Sequence, residues 1–384
     1  MRVSLLSENL QKKILLLNHA ISTMTQLPIL LNFLIEAKKG KLSISATDLE
    51  VGIVADIPAK IEREGSVTVP AKTFTELMGI FPLDKIMLET QEGGLVLTGE
   101  KIKTVFQTTP ADDFPKLYEE KGNKVLTLRK ETIARDFSKI VFAASPDSER
   151  PALSGVLIKE ESSPAGEGFL LVATDGYRLS LKKQALKNVK KNPPAGGVQD
   201  KISLLVPSRV IRELILMEKD VEGGDVMVYS SAEKNQVVFS QNDTTLIGRL
   251  IEAEFPNYEK IIPEEFSTKT VFQREDLQIA IKAGYVFARQ TAGIVKMSVR
   301  KDKIIVSANA PSVGNNTIEV DAKTQGEEND IAFNARYLLD FLSNTTSEEI
   351  SFEMTGPLNP GVFREEEDPS FLHLIMPIRV QESV

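Results

Sequence analysis

The stretch Val69-Pro70-Ala71-Lys72-Thr73-Phe74-Thr75-Glu76-Leu77 decides the fold, because it returns twice further along the chain. A close copy is Val206-Pro207-Ser208-Arg209-Val210-Ile211-Arg212-Glu213-Leu214, and a looser one is Phe333-Asn334-Ala335-Arg336-Tyr337-Leu338-Leu339-Asp340-Phe341. The intervals of 137 and 127 residues are too long for a solenoid repeat and suit whole domains. The chain therefore predicts three separately packed copies of one module.

A second motif recurs in the same order and supports this repeat. Ala46-Thr47-Asp48-Leu49 precedes the first copy, Ala173-Thr174-Asp175-Gly176 the second and Ser307-Ala308-Asn309-Ala310 the third. Turn-rich sequence near 116–123 and 256–265 follows the related phrases Asp113-Phe114-Pro115-Lys116 and Glu254-Phe255-Pro256-Asn257. We expect domain boundaries there, which gives domains at 1–122, 123–260 and 261–384.

Each third of the chain carries two amphipathic stretches with strand-like sequence between them. The apolar stripes through Ile133, Phe137 and Ile140 and through Leu277 and Ile281 have helical spacing, and Asn334 is a suitable helix cap. The expected helices are 7–22, 71–80, 130–144, 207–219, 273–289 and 334–345. Segments such as 41–46, 95–98, 236–240 and 303–307 alternate apolar with polar residues, which is typical of antiparallel sheet with one wet face. The pattern predicts an α+β fold with two helices on antiparallel sheets in each domain.

Composition narrows the function classes. The 384 residues are 42% hydrophobic, which is ample for a core in each domain, and the absence of cysteine excludes disulfides, thiol catalysis and thiolate metal sites. No 18-residue uncharged apolar run and no signal peptide are present, so a cytoplasmic location without a membrane partner is the default.

The net charge of −8 would ordinarily argue against nucleic acid as a partner, but its distribution is uneven. The six expected helices sum to about +4, which leaves about −12 on the rest of the chain. Ordinary solvated helix faces explain this asymmetry as well as a nucleic-acid surface does. The basic stretch Lys182–Lys191 is expected to be a mobile solvated loop, with a phosphate contact as the alternative.

Signatures of catalysis are missing from the sequence. There is no phosphate-binding loop, zinc-protease helix, nucleophile elbow or dinucleotide fingerprint. His19 and His373 lie far apart in sequence, and the acidic runs at 112–113 and 365–367 suit solvated turns better than cation sites. We therefore expect no cofactor, no metal and no catalytic residue.

Two apolar segments remain unassigned by these arguments. Ala173–Leu179 combines an Asp-Gly turn with an aromatic residue and an arginine, and Leu372–Arg379 places Met376 beside proline and isoleucine. Such a surface suits either a core strand or a groove that accepts peptide side chains. The residues alone leave both possibilities open.

Taken together, these motifs resemble those of the bacterial DNA polymerase III beta subunit family, the replicative sliding clamps, from end to end of the chain. The resemblance is carried by Thr25–Leu30, Ala46–Glu50, Val67–Lys72, Asp113–Pro115, Ala173–Leu179, Phe255–Tyr258 and Met376–Arg379. It implies the DNA clamp fold, three pseudo-equivalent domains per chain, a head-to-tail homodimeric ring and no catalysis. Its implied partners are duplex DNA bound without sequence preference, the replicative polymerase catalytic subunit, the clamp loader and other replication and repair proteins.

The implied ring can be tested by the space that helices need. Packed helices lie roughly 8–10 Å apart, so six leave a bore of about 7 Å and twelve leave about 23 Å. A duplex is about 20 Å wide, so one chain is too small to encircle it and two are enough.

The resemblance also implies three sets of residues. The DNA-facing candidates, on the polar helix faces, are Lys12, Lys13, Lys72, Arg135, Lys139, Arg209, Arg212, Arg274, Lys282 and Arg336. The implied partner-peptide cleft uses Leu153, Thr174, Gly176, Tyr177, Arg178, Leu179, Pro256, Lys260, Ile261, Asn334, Tyr337, Leu358, Leu374, Met376 and Pro377. The implied seam joins Thr104, Val105 and Phe106 of the first domain to Val286 and Phe287 of the third. An α+β metabolic enzyme with an acidic metal site and an oligomeric scaffold without DNA are the alternatives from other classes.

Overall fold

Short antiparallel strands alternate with helices along the whole chain. The computed structural model describes residues 1–22, 25–38, 40–117, 122–163, 166–185, 202–220, 223–231, 235–312 and 314–379. The first third contains β1 (Arg2–Leu6), α1 (Ser7–Leu17), β2 (Asn32–Lys38), β3 (Lys41–Thr47), β4 (Val51–Ile57), β5 (Ala59–Arg63), β6 (Gly65–Pro70), α2 (Ala71–Ile80), β7 (Lys85–Gln91), β8 (Gly94–Thr98) and β9 (Lys103–Phe106).

The middle third has a similar order of elements, with four described strands instead of five between its helical regions. It contains β10 (Asn123–Leu128), α3 (Lys130–Thr132), a π-helical segment (Ile133–Phe137), α4 (Ser138–Val141), β11 (Gly155–Ser163), β12 (Gly166–Thr174), β13 (Arg178–Ala185), β14 (Ser203–Pro207), α5 (Ser208–Asp220), β15 (Val226–Ser231), β16 (Gln236–Gln241) and β17 (Thr244–Arg249).

The last third repeats the order once more. It contains β18 (Thr268–Gln273), α6 (Arg274–Ala288), β19 (Ile294–Val299), β20 (Lys303–Ala310), β21 (Gly314–Gly326), β22 (Asn329–Asn334), α7 (Ala335–Asn344), β23 (Glu349–Met354), β24 (Gly361–Glu365) and β25 (Asp368–Ile375). Short 3-10 turns lie between these elements at Asn18–Ala20, Pro28–Leu31, Ala111–Asp113, Pro151–Leu153 and Glu259–Ile261.

The expected helices are confirmed to within a few residues, with one local difference. Asn334 caps α7 by accepting a hydrogen bond from the backbone of Arg336 at 2.9 Å, as its position predicted. The expected helix over 130–144 is interrupted by the π-helical segment. The wide turn coincides with Asp136, a fully buried carboxylate that is bound by Arg135 and Gln184.

Two compact units divide the described residues. The first comprises 1–134 and 209–250, and its strands form a five-stranded sheet in the order β5-β1-β7-β8-β9 and an eight-stranded sheet in the order β10-β15-β16-β17-β4-β3-β2-β6. Every described strand pair in it is antiparallel. Helices α1 and α2 pack against each other and against these strands, with Phe74 between Phe33 and Phe106 in the core.

The second unit comprises 135–185, 202–208 and 251–379. It holds one twelve-stranded sheet in the order β14-β11-β12-β13-β25-β24-β23-β18-β21-β20-β19-β22. Helix α7 packs against α4 and α6, and its Phe341 stacks on the ring of His373 with centroids 5.0 Å apart. Phe352 and Phe363, 4.7 Å apart, continue this aromatic core.

One strand joint occurs twice at equivalent places. In the first unit β17 pairs with β4, with Ile247 opposite Gly52, and in the second unit β25 pairs with β13, with Leu374 opposite Leu179. Strands β9 and β21 hold the corresponding places in the repeat. Within the described chain β9 is an edge strand paired only with β8, and residues 314–321 of β21 pair only with β20.

Candidate functional site

The Asp-Gly turn of the middle copy is rigidly built by its own side chains. The hydroxyl of Thr174 donates to the carbonyl of Arg178 at 2.6 Å and accepts from the backbone of Gly176 at 3.0 Å. One carboxylate oxygen of Asp175 accepts from the backbone N–H groups of Tyr177 and Arg178 at 2.9 and 3.0 Å. Gly176 adopts a φ of 90°, which favours glycine. The sequence therefore fixes the turn that presents Tyr177.

Arg178 ties this turn to α7 and to the segment after α4. Its guanidinium donates to Asp175 at 3.0 Å, to Asp340 at 2.6 Å and to the carbonyl of Phe142 at 2.9 Å. It also lies over the ring of Tyr337, 4.6 Å from the centroid. Because only 8% of Arg178 is exposed, it supports the surface from beneath.

Tyr177 and Tyr337 form the exposed part of this surface. Their rings stack with centroids 6.4 Å apart, and Tyr177 is 55% exposed. Met376 is held beside them because its backbone N–H donates to the carbonyl of Tyr177 at 2.8 Å. Burial raises the pKa of the Tyr337 phenol, with Asp175 adding to the effect, so the ring stays neutral near neutral pH.

The floor of the surface is apolar, and its residues are less accessible than the sequence suggested. Leu179 and Leu374 face each other across the β13–β25 pair, and both are 0% exposed. They belong to a core cluster with Tyr258, and Met376 packs against it. The expectation that these two leucines contact a ligand is therefore corrected: they fill the core under the cleft. Thr174, at 4% exposure, is likewise structural.

The remaining cleft candidates are placed by the loops around this floor. Leu153 lies 3.9 Å from where a Cβ on Gly176 would be, so the two residues border each other. Lys260 and Ile261 are exposed on a 3-10 turn directly after Tyr258, and Pro256 precedes it. Three further candidates belong to the last third, where Asn334 caps α7, Leu358 is 56% exposed between β23 and β24, and Pro377 is half-buried after β25.

Sequence reasoning missed three residues that shape this surface. Asp340 and Phe142 hold Arg178, but neither lies near it in sequence. Tyr258 is 93% buried between Phe255 and the sheet, and its hydroxyl has no hydrogen-bond partner among the residues that the structure describes. Burial, followed by Glu259 and Glu161, raises the pKa of Tyr258 to about 12. The Phe-Pro-Asn-Tyr phrase was the available signal for this residue.

Six of the ten cations expected to face DNA are exposed. They are Lys12, Lys72, Arg135, Arg212, Lys282 and Arg336. Lys12 also pairs with Glu8 at 3.0 Å, and Arg135 chelates Asp136, whose hydrogen bonds raise the pKa of the guanidinium.

Three further candidates are partly buried and engaged within the chain. Lys13 donates to Asp243 at 2.6 Å, Arg209 pairs with Asp48, and Arg274 donates to the carbonyl of Leu342 at 3.3 Å. The carboxylate partners of Lys13 and Arg209 reduce the charge that these two residues offer to a phosphate.

Lys139 is a clear correction. It was expected on the polar back of its helix, but its side chain is 3% exposed and lies 2.5 Å from Glu365 and 3.2 Å from Asp368. Lys182, expected in a basic loop, is also buried, within β13, and donates to Asp368 at 2.5 and 2.6 Å. Burial alone would raise the pKa of Asp368, but Lys182 and Ser370 outweigh it and hold that pKa well below its ordinary value. We call Asp136, Lys139, Lys182, Glu365 and Asp368 the buried charge cluster.

The seam candidates differ in accessibility. Val105 and Val286 are 54% and 51% exposed, and Thr104 and Phe287 are partly buried. Phe106 is 4% exposed and lies edge-on to Phe74 at 5.2 Å, so its expected place in an interface is corrected to the core of the first unit.

Three remaining expectations concern the basic loop, a metal site and a membrane span. Lys183 lies in β13, whereas Lys187, Lys190 and Lys191 lie outside the described residues, as does the boundary segment 118–121. No described group of three or more histidine, aspartate or glutamate side chains has an arrangement that could hold a metal ion. None of the helices in the described ranges is both long enough and apolar enough to span a membrane.

Comparison with known proteins gives a consistent result along the chain. Residues 1–118, 127–257 and 259–379 match the family models of the N-terminal, central and C-terminal domains of the DNA polymerase III beta subunit. The beta sliding clamp of Synechococcus elongatus is 28% identical over 371 residues, which cover 95% of this chain and 96% of the relative.

Solved structures give the same match. The DNA polymerase III beta subunit of Thermotoga maritima superposes with a TM-score of 0.89 at 27% identity, covering 99% of this chain and all of that one. The Caulobacter crescentus clamp, described as "C. crescentus beta sliding clamp", superposes with a TM-score of 0.89 at 25% identity and covers 99% of each chain. That structure has polyethylene glycol bound to its proposed beta-motif tethering region.

Proposed function

The chain belongs to the DNA polymerase III beta subunit family, the sliding clamps, and on this premise we propose that two copies close head to tail into a ring around duplex DNA. Its function is that of a DNA sliding clamp, an accessory processivity subunit with no catalysis of its own. The three domains of each copy would extend over 1–122, 123–260 and 261–384. Ring closure, the DNA-facing residues and the partner cleft are the parts of this function that we propose here.

The observation that carries ring closure is the strand joint that occurs twice in the chain. The β4–β17 and β13–β25 pairs join equivalent strands. In the part of the chain that the structure describes, the third set of equivalents, β21 and β9, does not form this joint. Exposed strand edges favour pairing with another chain. If β9 of one copy pairs with β21 of another at each of two seams, every such joint is made and a closed ring results.

The exposure of equivalent residues supports this pairing. Val105 stands nine residues before Phe114, as Leu246 stands nine before Phe255. Leu246 is fully buried at its joint, whereas Val105 is 54% exposed. We propose that Val105 takes the place that Leu246 holds opposite Ile53 in the existing joint, and so lies against β21 of the partner copy. Closure would then cover an apolar side chain that is otherwise left in water.

Val286, the seam candidate on helix α6, can be compared with its counterpart in the first copy in the same way. Val286 follows the buried Leu277 of α6 by nine residues, as His19 follows Leu10 of α1. His19 pairs with Glu213 of α5 at 2.8 Å, within the first unit. We therefore propose that Val286, 51% exposed, packs against α2 of the partner copy.

DNA would be held by enclosure and weak phosphate contacts. Two copies supply twelve helices and a bore of about 23 Å, enough for a duplex of about 20 Å. Lysine and arginine on the inner helix faces attract phosphates without distinguishing bases, so the contacts exchange easily and depend on salt. The exposed candidates Lys72, Lys282 and Arg336 are the best suited, because no ion pair within the described chain occupies them.

Partners would dock on the surface around Tyr177. Exposed apolar side chains there, Tyr177, Ile261 and Leu358, lie on a rigid turn and on loops, which suits an apolar partner peptide. We propose that the replicative polymerase, the clamp loader and repair proteins use this cleft in turn, in the cytoplasm where replication takes place. The ligand of the Caulobacter crescentus clamp is consistent with a binding region on this fold.

Retention on DNA tests the proposal. The chain is loaded by its cognate loader onto nicked circular DNA, and the amount that remains is compared before and after the circle is linearised. A ring stays on circles and leaves linear ends, so equal loss from both would refute closure. A variant with Val105→Asp serves as the control that should not be retained on either.

A further inference from the structure

The first copy of the module contains a turn with the same hydrogen bonds as the cleft turn of the second. The Thr47 hydroxyl donates to the carbonyl of Val51 at 2.9 Å and accepts from the backbone of Leu49 at 3.0 Å. Asp48 accepts from the backbones of Glu50 and Val51 at 3.0 and 2.9 Å. These are the bonds that Thr174 and Asp175 make, residue for residue. The scaffold of the proposed cleft is therefore present a second time.

The strand beside the turn matches as well. The backbone N–H of Arg249 donates to the carbonyl of Glu50 at 3.2 Å, just as Met376 donates to Tyr177. With Ile247 opposite Gly52 and Leu374 opposite Leu179, the two registers agree. Glu50 and Arg249 thus hold the places of Tyr177 and Met376.

A cavity of about 360 Å³ opens beside this turn in the first unit, which is within the size range of ligand pockets. Leu49, Glu50, Ile247 and Arg249 contribute to its wall, together with Leu117 from the segment before the domain boundary. Gly52 gives room to Leu117, whose side chain would come within 3.0 Å of an added Cβ. The cavity has an apolar floor and a charged rim.

Leu49 adopts a left-handed backbone conformation, which residues with a side chain rarely adopt. Its φ is 81°, close to the 90° of Gly176, yet a leucine stands there with 54% of its surface exposed. A non-glycine residue with positive φ stores strain, which persists where the surroundings hold it in place. This strained residue presents an apolar side chain to the cavity and to solvent.

Charge indicates what the cavity accepts. Arg249 is exposed and its guanidinium has no ion-pair partner within the described chain, whereas the acid on the rim, Glu50, is 3.7 Å from Arg209. A carboxylate therefore suits this rim, and an apolar group suits the floor.

We propose that this cavity is a second peptide site, which binds a short acidic segment of a partner protein. One apolar side chain of the segment lies against Leu49 and Leu117, above the buried Ile247, and a neighbouring carboxylate pairs with Arg249. The assignment of a peptide as ligand rests on the proposed function of the Tyr177 surface, because the scaffold is shared. The charged rim makes the two sites prefer different partners, so each chain of the clamp holds two proteins at once.

Methyl NMR on the intact chain tests the two sites separately. The δ1 methyl of Ile247 lies 3.6 Å from where a Cβ on Gly52 would be and reports on the new site, and the exposed Ile261 reports on the Tyr177 surface. The probes are the blocked peptides acetyl-Phe-Leu-Asp-amide and acetyl-Phe-Leu-Asn-amide. We expect the aspartate peptide to shift the Ile247 methyl at lower concentration than its neutral twin, by roughly two- to fivefold.

Variants connect the shift to the named residues. Arg249→Gln should remove the preference for aspartate, and Leu49→Gly, which keeps the turn, should weaken both peptides. Lys60→Gln, which removes an exposed lysine of β5 elsewhere in the same unit, is the matched control. The proposal is overturned if the chemical shift of the Ile247 methyl does not change, or if both peptides change it at the same concentration.

The two sites fail independently. A response at Ile261 without one at Ile247 refutes the second site and leaves the Tyr177 surface intact, and the reverse result refutes the Tyr177 surface. An Ile247 shift that depends on protein concentration without peptide would assign the cavity to a second copy of the chain and would also overturn the proposal.

Discussion

Replacing Val105 by aspartate should open the ring without unfolding the chain. Full burial of a valine side chain is worth about 1.5–3 kcal/mol, so covering the 54% that is exposed contributes about 1 kcal/mol at each seam. An aspartate there would also bury an unpaired carboxylate, which costs about 2 kcal/mol or more. The sum is about 3 kcal/mol per seam. Because a ring has two seams, the dimer dissociation constant should rise about 10⁴-fold.

Sedimentation velocity over a wide concentration range measures this change. The parent chain should sediment as a dimer where the Val105→Asp variant is monomeric. At concentrations low enough for both to be monomeric, the two should have the same urea midpoint, because Val105 is exposed in the single chain. Leu15→Asp is the control, since Leu15 is 66% exposed on α1 and the proposed seams do not involve it. A dimer constant that Val105→Asp leaves unchanged would refute the pairing of β9 with β21.

Three further outcomes follow from the site and the core. Lys139→Met should lower the free energy of unfolding by about 3–5 kcal/mol, because it leaves Glu365 buried without its cation. Lys282→Met should change the urea stability little and should reduce the salt dependence of DNA binding. Burial holds the pKa of His373 well below 6.5, so below about pH 6.5 the unfolded chain binds a proton there and the folded chain does not. The free energy of unfolding should therefore fall by about 1.4 kcal/mol per pH unit below that pH. In urea titrations between about pH 5 and 8, His373→Phe should remove this part of the slope. Met376→Asp should weaken the binding of an apolar partner peptide and preserve the urea midpoint. Leu179→Asp should unfold the second unit, because Leu179 is fully buried. Calorimetric titrations in which Met376→Asp binds the peptide normally would contradict the proposed cleft.

Much of the fold could be predicted because the sequence motifs of one module recur three times along the chain. The helices expected at 130–144 and 273–289 were predicted from their apolar stripes, and α7 from the repeated motif and the cap at Asn334. The pairing of distant strands, such as β17 with β4, was beyond reach, since hydrogen bonds between separated strands leave no local pattern. The π-helical segment was missed for a similar reason: Gln184, one of the partners of Asp136, is 48 residues away.

The candidate site was predictable as far as motifs reach. The Thr-Asp-Gly-Tyr-Arg phrase correctly indicated a special turn, but which of its side chains are exposed depends on packing, and Leu179 was therefore misjudged. Helical spacing placed Lys139 on a polar face because the acids that surround it, Glu365 and Asp368, come from more than 220 residues away. Comparing the two copies of the turn adds a signal that one copy lacks: Gly176 stands where Leu49 stands in the first copy, and a glycine at that position indicates a positive φ.

The buried charge cluster has a consequence for a protein made of look-alike modules. Lys182 of β13 meets the acidic start of β25, whereas the equivalent residue of β4 is Ala55, which offers no cation. If β25 were to dock on β4 while the chain is folding, Asp368 would be buried with nothing to neutralise it, at a cost of several kcal/mol. Strands β13 and β25 thus recognise each other electrostatically, which favours assembly of these two modules in their encoded order despite their shared architecture.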